Sequence, residues 1–66
     1  MTSQEILLAA LKTHGIEVIS VKGNHVIVQN NYEIEVEANG VYKLLNEVYI
    51  VGPFDNINSL CRFILT

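Results

Sequence analysis

Three glutamates alternate along one short segment, where Glu33, Glu35 and Glu37 follow Tyr32 at every second position. Side chains two residues apart on a strand share a face and lie roughly 6 to 7 Å apart, close enough for two carboxylates to divide acid and base work. Such catalysis also needs a pocket and a group whose pKa is moved by its surroundings. The sequence indicates no pocket and no neighbouring histidine for this row. We therefore interpret it as a solvated strand face and predict no catalytic residue.

Two histidines and one cysteine are the remaining residues with metal or nucleophilic chemistry. Neither His14 nor His25 has Cys, Asp or His at a metal-ligand spacing. Cys61 falls in an apolar stripe, where a small hydrophobic side chain is expected, and Arg62 alone does not make it a reactive thiolate. The sequence also lacks the glycine patterns of phosphate-binding loops and the nucleophile elbow. We predict a protein without metal, cofactor or enzymatic activity.

The length of 66 residues predicts a single small globular domain, residues 1–66, with a limited core. A chain of this size buries only roughly 60% of the surface that it exposes when unfolded. One cysteine allows no internal disulfide, and 50% of the residues are apolar. So small a body cannot hide that much apolar surface. We expect self-association, most simply as a homodimer, or docking on a protein partner.

The charge balance argues against direct binding to nucleic acids. Four basic residues and a net charge of −3 do not provide the clustered lysines and arginines that bind phosphates. No segment approaches the ~20 apolar residues of a membrane span. The first residues lack the basic and apolar pattern of a signal peptide. We expect a cytoplasmic protein that binds no membrane, a compartment that suits the unpaired Cys61.

Helical patterns lie at both ends of the chain. Thr2 and Glu5 have the spacing of a capping box, and Gly15 suits the left-handed conformation that ends a helix. Near the other end, Asp55 is a good N-cap for a second helix. Each helix has an apolar face that predicts packing on a sheet. The two faces are Ile6, Leu7, Ala10 and Leu11, and Ile57, Leu60, Cys61 and Ile64.

Between the helices, β-branched segments are separated by turn signals. Gly23-Asn24 predicts a two-residue hairpin, Gln29–Asn31 a three-residue loop and Asn39-Gly40 a type I′ hairpin. A further turn or a bulge is expected at Asn46-Glu47, and Gly52-Pro53 is expected to end the sheet. The predicted fold is α+β with two layers. An antiparallel meander of four to five strands carries the N-terminal and C-terminal helices on one face.

The turns also predict which side chains face the helices. The first hairpin pairs Val21 with Val26 and Ile19 with Val28 on the core face. Lys43 falls on that face in the type I′ register, which is a conflict unless the side chain snorkels or the strand is bulged. The same register adds four apolar residues to the core: Val41, Leu45, Val48 and Ile50.

The opposite, uncovered face of the sheet is the predicted interaction surface. In the type I′ register Tyr42 lies across from Glu37 and Leu44 across from Glu35, so an aromatic and apolar patch borders the acidic row. Aromatic residues rimmed by charge are typical of protein interfaces. The predicted partner-binding residues are Glu33, Glu35, Glu37, Tyr42, Leu44 and Tyr49.

We interpret the chain as a non-enzymatic interaction module: a regulator, inhibitor or accessory subunit that acts through the uncovered sheet face or a sheet edge. Two alternatives stay open. In one, the acidic row makes the protein an inhibitor that mimics nucleic-acid charge on a basic host protein. In the other, a homodimer brings copies of Glu35, His25 or Tyr42 together and forms an enzymatic or ligand-binding site between protomers.

Overall fold

The computed structural model describes residues 2–47 and 49–66. Its five strands form one antiparallel sheet in the order β1-β2-β3-β4-β5, with a helix before and a helix after. This confirms the predicted α+β meander. Neither described helix has the length or apolar character to cross a membrane. The elements are α1 (Ser3–Thr13), β1 (Val18–Lys22), β2 (His25–Val28), a 3-10 turn (Gln29–Asn31), β3 (Tyr32–Val36), β4 (Tyr42–Asn46), β5 (Tyr49–Phe54) and α2 (Ile57–Leu65).

Helix α1 begins with the predicted capping box. The Glu5 N–H donates to Thr2 Oγ1 (3.1 Å), and the Thr2 N–H donates to Glu5 Oε1 (2.9 Å). The pKa of the Glu5 carboxyl is lowered, mainly because its charged form accepts the backbone N–H of Thr2. Leu7 and Leu11 are buried as predicted, whereas Ile6 is exposed. Leu8 and Ala10 pack against the core beside them, so the buried face of α1 is rotated toward Leu8 and away from Ile6.

Helix α2 begins one residue later than predicted. Asn56, and not Asp55, is the N-cap: its Oδ1 accepts the N–H groups of Asn58 (2.9 Å) and Ser59 (3.2 Å). The shift follows from β5, which continues to Phe54 and leaves Asp55 in the connecting bend. The predicted apolar face of this helix is otherwise confirmed, with Leu60, Cys61 and Ile64 fully buried.

The core lies between the two helices and one face of the sheet. Among the described residues no polar or charged residue is buried. Cys61 belongs to this core, and burial raises the pKa of its thiol, which favours the neutral form. The buried residues are Leu7, Leu11, Ile16, Val26, Val28, Ile34, Tyr42, Leu44, Leu60, Cys61 and Ile64.

The hairpin of β1 and β2 departs from the predicted register at one point. Val21 pairs with Val26 as expected, but Val18, and not Ile19, pairs with Val28. Ile19 is the extra residue of a β-bulge. Ile19 and Val21 are 63% and 45% exposed, so their predicted burial is wrong. The reason is that β1 is an edge strand that the helices leave uncovered.

The connection from β2 to β3 is the predicted three-residue loop. Val28 pairs with Tyr32 and Val26 with Ile34. Asn30 and Asn31 both have a φ of 63°, in the left-handed region that Asn tolerates better than most residues. Burial of alternate residues in β2 and β3 selects this loop length, because a shorter turn would place Glu33 in the core.

The hairpin of β3 and β4 corrects the predicted type I′ turn. The Glu37 N–H donates to the carbonyl of Val41 (2.9 Å), which encloses three residues, and Gly40 has a φ of +82°. The longer loop shifts the register by one residue, since Tyr42 pairs with Val36 and not with Glu37. The shift removes the conflict at Lys43, which now pairs with Glu35 and leaves the core face.

Strand β5 is longer and more irregular than predicted. It continues through Gly52 and Pro53, which were expected to end the sheet. Leu45 pairs with Ile50 and Leu44 with Gly52, so a bulge lies between them at Val51. Because the register has shifted, Ile50 is 65% exposed and Leu45 leaves the core face. The predicted core position Val48 lies outside the described residues.

Candidate interaction surface on the helix-free face

The side of the sheet that faces away from both helices is the candidate functional site, and we call it the helix-free face. Alternation along the strands and the pairing register assign its residues. One row runs across four strands, from Ile27 through Glu33 and Leu45 to Ile50, and is mainly apolar. A second row runs from His25 through Glu35 to Lys43. The first row continues to Ser20 in β1, and the second continues to Lys22 in β1 and Pro53 in β5. The helix-free face therefore consists of Ser20, Lys22, His25, Ile27, Glu33, Glu35, Lys43, Leu45, Ile50 and Pro53, with Glu37 at the end of β3.

Each glutamate of this face contacts a neighbouring side chain. Lys43 Nζ lies 3.5 Å from Glu37 Oε1 and 3.9 Å from Glu35 Oε1. His25 Nδ1 lies 2.5 Å from Glu33 Oε2. The expectation of an acidic row without a neighbouring histidine is therefore wrong. The glutamates form a network with one lysine and one imidazole, and not a bare negative stripe.

The contact between His25 and Glu33 has the form of a catalytic base with its orienting carboxylate. Among the described residues, however, no hydroxyl or thiol is hydrogen-bonded to His25, so the nucleophile of a triad is missing. In the same part of the chain, no group of three His, Cys, Asp or Glu residues could hold a metal ion. The pair acts as a cross-strand contact that fixes two side chains on the face.

A shallow depression of about 390 Å³ lies at one end of the helix-free face. It is partly open to solvent, and it combines apolar side chains with the carboxylates of Glu33 and Glu47. Such a groove suits a long aliphatic side chain with a cationic end better than a fully enclosed small molecule. Its lining residues are Ile27, Asn31, Tyr32, Glu33, Leu45 and Glu47.

Two of the predicted site residues lie in the core instead. Tyr42 is 6% exposed, its hydroxyl donates to the carbonyl of Ser3 (3.1 Å), and Leu44 is fully buried. The one-residue register shift moves both side chains to the helix side of the sheet. Their predicted place on the uncovered face is therefore wrong.

Tyr49 is exposed as expected, with 72% of its surface accessible, but it does not border the glutamates. It pairs with Asn46, which in turn pairs with Tyr32 on the helix side of the sheet. The apolar part of the real surface is instead supplied by Leu45 and Ile50, which the sequence prediction had assigned to the core. The conflict at Lys43 was the signal that could have revealed the exchange.

Comparison with known proteins finds no family model, no curated protein and no solved structure that matches this chain.

Proposed function

We propose that this protein is a small non-enzymatic interaction module that docks on a larger protein through its helix-free face. The observation that carries the proposal is the apolar row of Ile27, Leu45 and Ile50, which lies beside internally paired charges on a sheet face without a helix. The core on the opposite face is complete without these residues. Burying these side chains can therefore contribute free energy to the binding of a partner.

The row has the anatomy of a protein interface. Ile50 is 65% exposed, and covering apolar surface contributes about 25 cal/mol per Å². The paired side chains of Glu35, Lys43 and His25 border the row as a polar rim, which is the usual arrangement around an apolar interface centre. Because Lys43 already contacts Glu35 and Glu37, placing these charges at an interface leaves fewer of them unpaired.

The groove indicates the chemistry of the partner. The exposed side chain of Glu47 lies beside the apolar side chains of Ile27 and Leu45, next to Glu33, whose Oε2 already contacts His25. The matching ligand is an arginine or lysine side chain of the partner, flanked by apolar residues. The net charge of −3 also favours encounter with a basic surface. A role as regulator, inhibitor or accessory subunit, in the cytoplasm, belongs to the same proposal.

Mimicry of nucleic-acid charge is the weaker alternative. A charge mimic needs carboxylates that are free to face a basic groove, whereas Lys43 and His25 already contact Glu33, Glu35 and Glu37. A partner with apolar residues and one cationic side chain therefore fits the helix-free face better than a basic nucleic-acid-binding groove does.

The test is selection from a random displayed-peptide library on the immobilised protein. We expect enriched peptides that combine an arginine or lysine with adjacent apolar residues. Ile50→Glu should weaken the binding of these peptides about tenfold or more, because the exposed apolar row then carries a charge. Fluorescence anisotropy with the same labelled peptides measures the dissociation constants.

The matched control is Ile6→Glu, which alters an exposed isoleucine on α1, on the other side of the sheet. It should leave peptide binding within about twofold of wild type. Circular dichroism verifies that both variants fold. The proposal fails if no peptide is enriched over an unrelated protein, or if Ile50→Glu and Ile6→Glu bind the peptides equally well.

A further inference from the structure

The two edges of the sheet differ in their ability to accept another strand. The outer side of β5 has a bulge at Val51 and a proline, Pro53, which lacks an N–H group. At the other edge, β1 has the sequence Val-Ile-Ser-Val-Lys without proline. A single bulge at Ile19 leaves residues 20–22 regularly paired with β2. We call the outer side of β1 the open edge.

The open edge is also apolar. Val18, Ile19 and Val21 are 36%, 63% and 45% exposed, although all three are β-branched residues suited to a sheet interior. A strand edge with unpaired backbone groups and exposed apolar side chains is a template for pairing with another strand. Lys22 is the single charged residue of β1 and lies at its end.

The backbone of Val21 faces outward. Lys22 and His25 close the two-residue turn, and residues that close such a hairpin hydrogen-bond to each other. In an antiparallel pair the next residues direct their N–H and C=O groups away from the partner strand. The N–H and C=O of Val21 are therefore directed toward the space beside β1.

We propose that the open edge pairs antiparallel with β1 of a second copy of this chain, on a two-fold axis at Val21. Each Val21 then donates its N–H to the carbonyl of the other Val21, and the two side chains lie next to each other. An antiparallel pair on this axis places Lys22 of each copy beside Ser20 of the other, whereas parallel pairing in register would align the two Lys22 side chains. A second copy supplies the matching open edge itself.

An axis at Val21 pairs only residues 20–22 of the two β1 strands, which bury less than the roughly 1,200 Å² of a standard stable interface. We therefore expect a weak dimer with a dissociation constant of about 10 to 100 μM. This pairing is separate from the proposed docking, because the side chain of Val21 lies on the helix side of the sheet, whereas Ile27, Leu45 and Ile50 lie on the helix-free face.

The test is sedimentation equilibrium of the whole protein from about 5 μM to 1 mM, a range that brackets the expected dissociation constant. Val21→Lys and Val21→Glu should each weaken the dimer at least about tenfold, because like charges then face each other across the axis. An equimolar mixture of V21K and V21E should restore association to about the wild-type level, since opposite charges are then paired.

Amide hydrogen exchange reports the backbone contact. The Val21 N–H should exchange rapidly in dilute wild-type protein and become protected as the concentration rises. Ile50→Lys is the matched control on the helix-free face and should leave the dimer unchanged. A wild-type protein that stays monomeric at about 1 mM overturns the proposal. So does a dimer that Ile50→Lys abolishes, or an equimolar mixture of V21K and V21E that remains monomeric.

The two proposals can fail separately. If the V21K and V21E results are as expected but no peptide is enriched, the edge pairing stands and the docking proposal falls. If peptides bind and the protein is monomeric at all concentrations, the reverse holds.

Discussion

Leu44 and Leu45 are neighbours in β4, yet their side chains lie on opposite faces of the sheet. Leu44 is fully buried beneath the helices, whereas Leu45 is half-buried on the helix-free face beside Glu33 and Ile50. The two side chains are identical, so the difference comes from the register alone. That register is set by one extra residue in the loop before β4, and a turn thus decides which residues form the core and which form the surface.

The largest expected effect comes from truncating this pair of leucines. Leu44→Ala should lower the free energy of unfolding by about 3 kcal/mol, because it removes buried atoms and leaves a cavity between sheet and helices. Leu45→Ala should cost less than about 1 kcal/mol, since its side chain is partly solvated. Urea denaturation followed by circular dichroism measures both. Equal losses would contradict the assignment of the two faces.

The loop that sets the register is the next place to test. Gly40 has a φ of +82°, where a residue with a Cβ atom is strained. Gly40→Ala should therefore lower the free energy of unfolding by about 1 to 2 kcal/mol, and Gly40→Asn by less, because Asn tolerates the left-handed region. Thermal or urea unfolding compares the three proteins. If alanine and asparagine are equally tolerated, the left-handed conformation does not determine this loop.

The two tyrosines of β4 and β5 offer a smaller contrast. Tyr42→Phe removes a hydroxyl that donates to the carbonyl of Ser3 and joins β4 to the start of α1. We expect a loss of about 1 kcal/mol in unfolding free energy. Tyr49→Phe, at a side chain that is 72% exposed, should change stability by less than about 0.5 kcal/mol. Chemical denaturation distinguishes these outcomes, and a larger loss at Tyr49 would reverse the comparison.

The smallest expected effect concerns the charges of the helix-free face. Lys43→Gln leaves Glu35 and Glu37 without their shared cation and should cost about 0.5 kcal/mol at low ionic strength. The loss should shrink in about 1 M salt, where interactions between exposed charges are screened within about 3 Å. Lys22→Gln, at the exposed end of β1, is the matched control. Equal, salt-independent losses would show that the Lys43 pairs contribute nothing.

Local signals predicted much of the fold. The capping box of Thr2 and Glu5 depends on residues within one helical turn, and the loop Gln29–Asn31 was the choice that kept Glu33 out of the core. The hairpin of β3 and β4 was harder to predict. The pair Asn39-Gly40 suits both a two-residue and a three-residue loop, and the distinction appears only in what the following strand buries. The exposure of β1 depends on where the helices end up, which no local pattern specifies.

The sequence placed the acidic residues of the candidate site on the correct face of the sheet, but it assigned the wrong apolar residues to the surface. Alternation placed the glutamates on the helix-free face, because the register of β2 and β3 was correct. Because the predicted register of β4 was wrong by one residue, Leu44 was placed on the surface and Leu45 in the core, the reverse of what the structure shows. The contact of His25 with Glu33 was missed, although the predicted pairing of Val26 with Ile34 already made these two residues diagonal neighbours on one face.

The bulge and the proline of edge strand β5 limit the size of the assembly that can form by strand pairing. A protein with two open strand edges can add copies from both sides and grow into a polymer, as fibrils do. With Pro53 and the bulge at Val51 on one side, the proposed pairing through β1 would use the single open edge of each molecule. When two copies pair through β1, no open edge is left over, and growth stops at a closed pair.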